Sequence, residues 1–240
     1  MRLLQLTDCH LSADPRALYR LGFATTQLER VIEEARAARP DVVLVTGDIS
    51  NDDSPASYQQ AVSLLSRFAC PWFWLPGNHD NLQVMREARS LIEEVDLGPW
   101  RALLLDTHVS GEVAGELGEA QIDALERKLE ADDRPTLIAM HHPPISVNSE
   151  WMDQIRLRDE AAFWHILSTN PQVRLVLAGH VHHAFHGSVQ GIDVLTTPAT
   201  SDQFLPGSDR FQLDGASRPG YRIVDIDGEE WTSWVERVSM

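Results

Sequence analysis

Five short polar clusters built from Asp, Asn, His and Gly punctuate this chain, each just after an apolar run of strand length. Asp8-Cys9-His10 follows Leu3 to Leu6, and Gly47-Asp48 follows Val42 to Val45. Gly77-Asn78-His79-Asp80 follows Trp72 to Leu75, His141-His142 follows Thr136 to Met140, and Gly179-His180-Val181-His182 follows Leu175 to Ala178. In open α/β sheets the carboxyl ends of the strands form the ligand crevice. Residues two apart in an extended chain face the same side, so Asp8 converges with His10 and His180 with His182, while Cys9 points away. Taken singly the clusters say little, because Gly-Asp commonly marks a turn. Taken together they deliver polar side chains to one sheet edge from five separate segments, and chance would have to act five times at matching positions. The oxygen and nitrogen donors suit Zn, Mn, Fe or Co and lack the thiolates of a closed structural zinc site.

Between the clusters, apolar runs alternate with helical periodicity. The spacing predicts a helix over Tyr19 to Arg39, with Leu28, Val31, Ile32 and Ala35 on one face. Ser54-Pro55 opens a second, with Tyr58, Ala61, Val62 and Leu65 inward. Leu82, Met85, Ala88 and Ile92 mark a third. A strand at Leu103 to Leu105, a helix around Ile122, Leu125 and Leu129, and a helix from Ala162 to Leu167 continue the rhythm. The C-terminal part changes: Gln190-Gly191 and Asp227-Gly228 sit between strand-like runs and predict hairpins. Strands alternating with helices imply a largely parallel sheet, and the hairpins add antiparallel strands, so the fold class is α/β with two facing sheets and helices outside. The 240 residues suit one domain. Ser146 to Arg158 and Thr197 to Pro219 read as irregular, and long loops of this kind often cover a site.

The net charge of −16 argues against a nucleic-acid partner. Cys9 and Cys70 are the only cysteines, so no disulfide framework is implied. The apolar run after Arg2 is too short for a signal peptide, and no segment is long enough to span a membrane. A cytoplasmic location without membrane association is the expectation. The sequence leaves the oligomeric state open.

The ordered set of clusters resembles the calcineurin-like metallophosphoesterase family over essentially the whole chain, from Leu3 to about Val238. The resemblance implies a four-layer α/β/β/α sandwich and a centre of two metal ions, Fe or Mn first, with Zn and Co possible. It implies that Asp8, His10 and His182 bind one ion with Asp48, that Asn78, His141 and His180 bind the second, and that Asp48 bridges them. His142 would pack or orient behind His141. Cys9 stands where the family usually has Thr. The implied reaction is in-line attack on phosphorus by hydroxide shared between the two ions. The substrate phosphate would meet His10, Asp48, Asn78, His79 and His182. The catalytic pair would be His79, which stabilises or protonates the departing oxygen, and Asp80, which either orients His79 or serves the turn.

Gly47-Asp48-Ile49-Ser50-Asn51-Asp52-Asp53 lacks the arginine of phosphoprotein phosphatases. The chain looks most like bacterial class III cyclic-AMP phosphodiesterases. That resemblance rests on Trp74-Leu75-Pro76, Leu103-Leu104-Leu105-Asp106, Trp151-Met152-Asp153-Gln154 with Leu157-Arg158, and Gln203-Phe204 with Phe211 and Leu213. It implies hydrolysis of the small molecule 3′,5′-cyclic AMP to 5′-AMP. A glycerophosphodiesterase or broad-specificity phosphodiesterase is the alternative, and a non-catalytic metal-binding scaffold the remote one. Trp151 and Phe204 are candidates to stack on a purine or to seal the loops. Arg156, Arg158 and Arg210 are candidates to screen phosphate. His108, His165, His183 and His186 are expected at the surface or in structural positions.

Overall fold

A computed structural model describes residues 1–240. One sheet has five strands in the order β11-β10-β1-β2-β3: β1 (Arg2–Leu6), β2 (Val42–Thr46), β3 (Trp72–Leu75), β10 (Gly220–Asp227) and β11 (Glu230–Arg237). The other has six in the order β4-β5-β6-β7-β9-β8: β4 (Glu94–Leu97), β5 (Trp100–Leu104), β6 (Thr136–Met140), β7 (Val173–Ala178), β8 (Phe185–Val189) and β9 (Ile192–Thr196). Strands β1, β2 and β3 are parallel, as are β5, β6, β7 and β9; β4, β8, β10 and β11 join antiparallel.

Three apolar layers hold this together. Alternation along each strand sends one set of side chains between the sheets, where Leu3, Leu44, Leu104, Leu137, Leu177 and Val224 meet. The opposite faces meet helices. Leu4, Leu6, Val43 and Trp74 pack against α1 (Ala24–Arg36), α2 (Pro55–Leu65) and α3 (Leu82–Ala88). Ile138, Met140 and Val176 pack against α4 (Gly118–Glu130) and α6 (Glu160–Ser168). The result is the four-layer α/β/β/α sandwich of two mixed sheets.

The elements depart from the sequence pattern where tertiary contacts compete. Helix α1 starts at Ala24 because Tyr19 and Gly22 exchange two backbone hydrogen bonds of 2.8 and 3.0 Å, a tight turn with Arg20 at φ 47°. It stops before Arg39, whose φ of 51° and following Pro40 exclude a helical continuation. Helix α3 ends at Ala88 because Arg89 is extended, and Ile92 lies beyond it, 40% exposed. Strand β4 has no apolar run to announce it: Glu94-Val95-Asp96-Leu97 buries only alternate residues on the sheet edge. Its neighbour β5 begins at Trp100, three residues before the predicted start, and carries Arg101 into the interior at 2% exposure, bonded to the Lys128 and Asp132 carbonyls. Segment 146–158 includes a short helix, α5 (Glu150–Asp153). Segments 146–158 and 197–219 share a small apolar cluster built on Val147, Met152, Val181 and Phe204.

Candidate metal centre

The carboxyl ends of β1, β2, β3, β6 and β7 lie together at one edge, and backbone pairing continues past them. Asp8 N–H donates to the Gly47 carbonyl (3.0 Å), His10 N–H to Asp48 (2.9 Å), and Gly179 N–H to His141 (3.0 Å). Asp8, His10, Asp48, His180 and His182 all have positive φ, between 50° and 69°. Non-glycine residues adopt this region at a cost, and such strain persists where the surroundings over-determine it, typically at functional sites. Two glycines make room for the cluster. A Cβ at Gly47 would press on the His141 ring, and one at Gly77 would press on the Asp48 carboxylate.

Asp48 stands at the middle of the arrangement. Its Oδ2 lies 3.7 Å from His10 Nε2, and its Oδ1 lies 3.4 Å from His141 Nε2. On the first side, His182 Nε2 is 3.1 Å from His10 Nε2 and 3.3 Å from Asp8 Oδ1. On the second, Asn78 Oδ1 is 3.2 Å from His141 Nε2, and the His141 and His180 rings are 5.1 Å apart between centroids. Second partners orient two of the rings: His141 Nδ1–H donates to the Thr46 carbonyl and His182 Nδ1–H to the Asp202 carbonyl, both at 2.8 Å. Each Nε2 lone pair therefore points into the cluster, as a ligating histidine requires.

These residues fit metal ions. Asp8, Asp48, His10, His141, His180 and His182 are each at most 5% exposed. Asp8 Oδ1, His10 Nδ1 and His180 Nε2 are buried with no hydrogen-bond partner. Groups such as Asp8-His10-His182 and Asp8-Asp48-His141 bring their donor atoms within 4.8 Å of one another. Buried carboxylates and converging lone pairs without a balancing charge are costly, and cations remove that cost. In the metal-free protein part of the balance comes from protonation. Burial opposes charge on His141, but Asp48 beside it pushes its pKa up to about 9. Burial alone would raise Asp48, yet His141 and His10 hold it well below the carboxylate range. Burial holds His10 and His180 well below the ordinary histidine range.

The remaining predicted residues divide clearly. His142 spends both ring nitrogens elsewhere: it accepts from the Thr107 hydroxyl at 2.7 Å and donates to the Val113 carbonyl at 3.0 Å. Cys9 is fully buried in the core away from the cluster. His79 gives its backbone N–H to Asp48 Oδ1 at 2.9 Å, leaving its exposed ring edge-on to His10 with centroids 5.0 Å apart. Asp80 is buried, and its hydrogen bonds come from Ile49 N–H, Ser50 N–H, Gly77 N–H and the Tyr58 hydroxyl, with none from the His79 ring. It ties the β2 loop to the β3 loop. Burial and the Asp48 charge push its pKa up to about 7. Of the other histidines, His165 and His186 are exposed and His108 is half-buried, whereas His183 is buried.

A narrow cavity of about 100 Å³ opens on the cluster, lined by His10, Asp48, Asn78, His79, His180 and His182 and walled by Trp151, Phe204 and Phe211. Phe204 lies flat on the His182 ring, with centroids 3.9 Å apart and planes at 9°, so one of its faces is closed to any ligand. A polar hollow of about 450 Å³ adjoins it on the other side of Asn78 and His79, with Asn51, Asp53 and His108 in its walls. A larger cavity, about 630 Å³, lies away from all these residues, between β3, β5 and α4. The arginines expected to screen phosphate do not line the metal cavity. Arg156 pairs with Glu160, Arg158 with Glu112 at 2.7 Å, and Arg210 is exposed. Arg20 lines it instead, with Tyr19 stacked on His10 at 4.6 Å. Nothing in the local sequence signals either residue, since both fall in a stretch with helical spacing.

A profile of the calcineurin-like phosphoesterase family matches residues 1–184. The chain is 40% identical over 232 residues to a 3′,5′-cyclic adenosine monophosphate phosphodiesterase of Pseudomonas aeruginosa, covering 93% of this chain and 85% of that protein. It is 35% identical over 247 residues to a 3′,5′-cyclic-nucleotide phosphodiesterase of a Nostoc species, covering 98% of this chain and 92% of the relative. Its fold is similar to that of a dimetal phosphatase from Danio rerio, with TM-score 0.72, 15% identity and 99% of each chain covered. By the family profile and these full-length relatives, together with the fold, this chain belongs to the calcineurin-like phosphoesterase family.

Proposed function

We propose that this protein hydrolyses 3′,5′-cyclic AMP to 5′-AMP at a two-metal centre. The observation that carries the reading is Asp48, whose two oxygens face two separate histidine groups. A carboxylate so placed can serve two ions at once. Asp8, His10 and His182 would hold one ion with Asp48, and Asn78, His141 and His180 the other. A mixed oxygen and nitrogen set accepts Fe or Mn, the pair we favour, and tolerates Zn and Co. When bound, the ions would polarise the phosphate oxygens and acidify water for in-line attack.

The chain's own residues do the rest. The ester phosphate sits in the narrow cavity against His10, Asp48, Asn78, His79 and His182. The bond to the 3′ oxygen breaks, because 5′-AMP keeps the 5′ ester. The departing 3′ oxygen takes up a proton, and the exposed His79 ring at the cavity mouth is placed to hold it. Asp80 positions the loops that carry Asp48 and Asn78 and does not touch substrate. Segments 146–158 and 197–219 flank the cavity through Trp151 and Phe204 and narrow the approach.

The choice of cyclic AMP is supported by the name of the Pseudomonas relative, and the wider cyclic-nucleotide class by that of the Nostoc relative. No helix is long and apolar enough to cross a membrane, and both cysteines are free, in keeping with the cytoplasmic location we propose. The test compares kcat/KM for cyclic AMP, cyclic GMP, glycerophosphodiesters and bis(p-nitrophenyl) phosphate on Mn- and Fe-loaded protein. Cyclic AMP should lead the natural diesters. A preference for glycerophosphodiesters would overturn the assignment.

A further inference from the structure

We propose that Arg20 is a substrate-binding residue, a cationic arm that reaches over the cavity and grips a non-bridging oxygen of the phosphate. The proposal rests on the phosphodiesterase reading above only in taking a phosphate as the ligand.

The charge distribution first demands such a group. The chain carries a net charge of −16, and the cavity region holds Asp8, Asp48 and Asp202. Neither hollow that meets at His79 has another lysine or arginine in its walls. Arg20 is therefore the single fixed cation of the protein at the point where an anion must arrive.

The geometry then leaves its donors available. Nη1 donates to Asp202 Oδ2 at 3.1 Å. A guanidinium has five N–H donors, so most of the fork remains free. The Asp202 side chain is 1% exposed whereas that of Arg20 is 28% exposed, so the ion pair anchors the arm at one end and leaves the other in the opening. Three rings hold the guanidinium in place: its central carbon is 4.8 Å from the Tyr19 centroid, 5.1 Å from Phe204 and 5.2 Å from Phe211. Tyr19 stacks on His10 and Phe204 on His182, so the arm is registered to the metal cluster itself. Its backbone φ of 47°, locked by the Tyr19–Gly22 turn, shows that the chain is held here in a sparsely populated conformation.

A purely structural arginine would neutralise Asp202 and close the aromatic corner without meeting substrate. Three variants of the metal-loaded protein separate the two roles. Arg20→Lys keeps the charge beside Asp202 and loses the fork. Arg20→Met removes the charge, and Arg20→Met with Asp202→Asn does so without stranding a buried carboxylate. The readouts are metal content, melting temperature, calorimetric binding of inorganic phosphate, and kcat/KM on bis(p-nitrophenyl) phosphate, which reports on the centre whatever the natural ester. We expect the double variant to keep its metals and to lose phosphate affinity by about 10- to 100-fold, the range for a charge-assisted contact, with kcat/KM falling in parallel and Arg20→Lys in between. Phosphate affinity within twofold of the parent in the folded, metal-loaded double variant overturns the proposal. If cyclic AMP is a poor substrate but these effects appear, the role of Arg20 stands and only the substrate assignment falls.

Discussion

The metal edge and the aromatic wall meet at one cavity but are held by different forces. The edge is set by backbone hydrogen bonds between loops, by left-handed residues at Asp8, His10, Asp48, His180 and His182, and by the Asp80 carboxylate across two loops. The wall rests on a small apolar cluster of Val147, Met152, Val181 and Phe204. Directional bonds place atoms closely, as several donors sharing ions require. Apolar contact is tolerant of shape, and volume-conserving changes are accepted there. The contrast sets closely placed donor atoms against a wall that accepts changes of shape.

Asp48→Ala breaks the rigid side most completely. It should abolish turnover and lower the content of both ions together, read by elemental analysis. Two full metal equivalents in an active variant would falsify the bridging role. His79→Ala should keep its metals, since the His79 hydrogen bond to Asp48 comes from the backbone N–H, which the variant retains. Its kcat should fall by about 10²- to 10⁴-fold on an alkoxide-leaving ester and much less on a nitrophenyl ester, which needs little protonation. Equal losses on both would leave His79 an electrostatic role alone.

Asp80→Ala tests the scaffold beneath the edge. With the Ile49, Ser50 and Gly77 N–H groups left unpartnered, metal affinity should drop by about 10- to 100-fold, as for other residues that orient ligands. A titration with Mn matching the parent would show that the two loops hold themselves. Phe204→Leu probes the wall: the ring on His182 is lost but burial is kept, so stability should change by less than about 1.5 kcal/mol, with full metal content.

A last test is one of pH on the metal-free protein. His141 has a folded pKa raised to about 9 by Asp48, above its ordinary value. The stability from that pair is fully present below the unfolded pKa and is lost as pH rises through the folded one. The melting temperature of metal-free protein should therefore decline between about pH 6.5 and pH 9. Loaded protein, whose ligands are already deprotonated, should lack that decline.

Much of the edge was legible because its determinants are short-range. Each ligand cluster stands within a few residues of a strand end, and a strand is announced by its own apolar run, as at Val42–Thr46 and Thr136–Met140. Strand β4 was not legible, since an edge strand with alternate charged residues has no such run. The start of α1 departs from the helical spacing because two backbone bonds between Tyr19 and Gly22 outweigh it. Asp80 could be placed in its turn by sequence, but not its four donors, which come from two loops and a helix.

By itself, then, the sequence determined the fold class, the alternation of strands with helices, and the residue types brought to the metal edge, since periodicity and motif spacing are properties of neighbouring residues. Tertiary structure alone decided that Asp48 faces both histidine groups, that Phe204 covers His182, and that Arg20 rather than Arg156, Arg158 or Arg210 overlooks the cavity. Those outcomes depend on distances between segments as far apart as Arg20 and Asp202, and such distances are set only when the apolar layers close and the loops have found their partners.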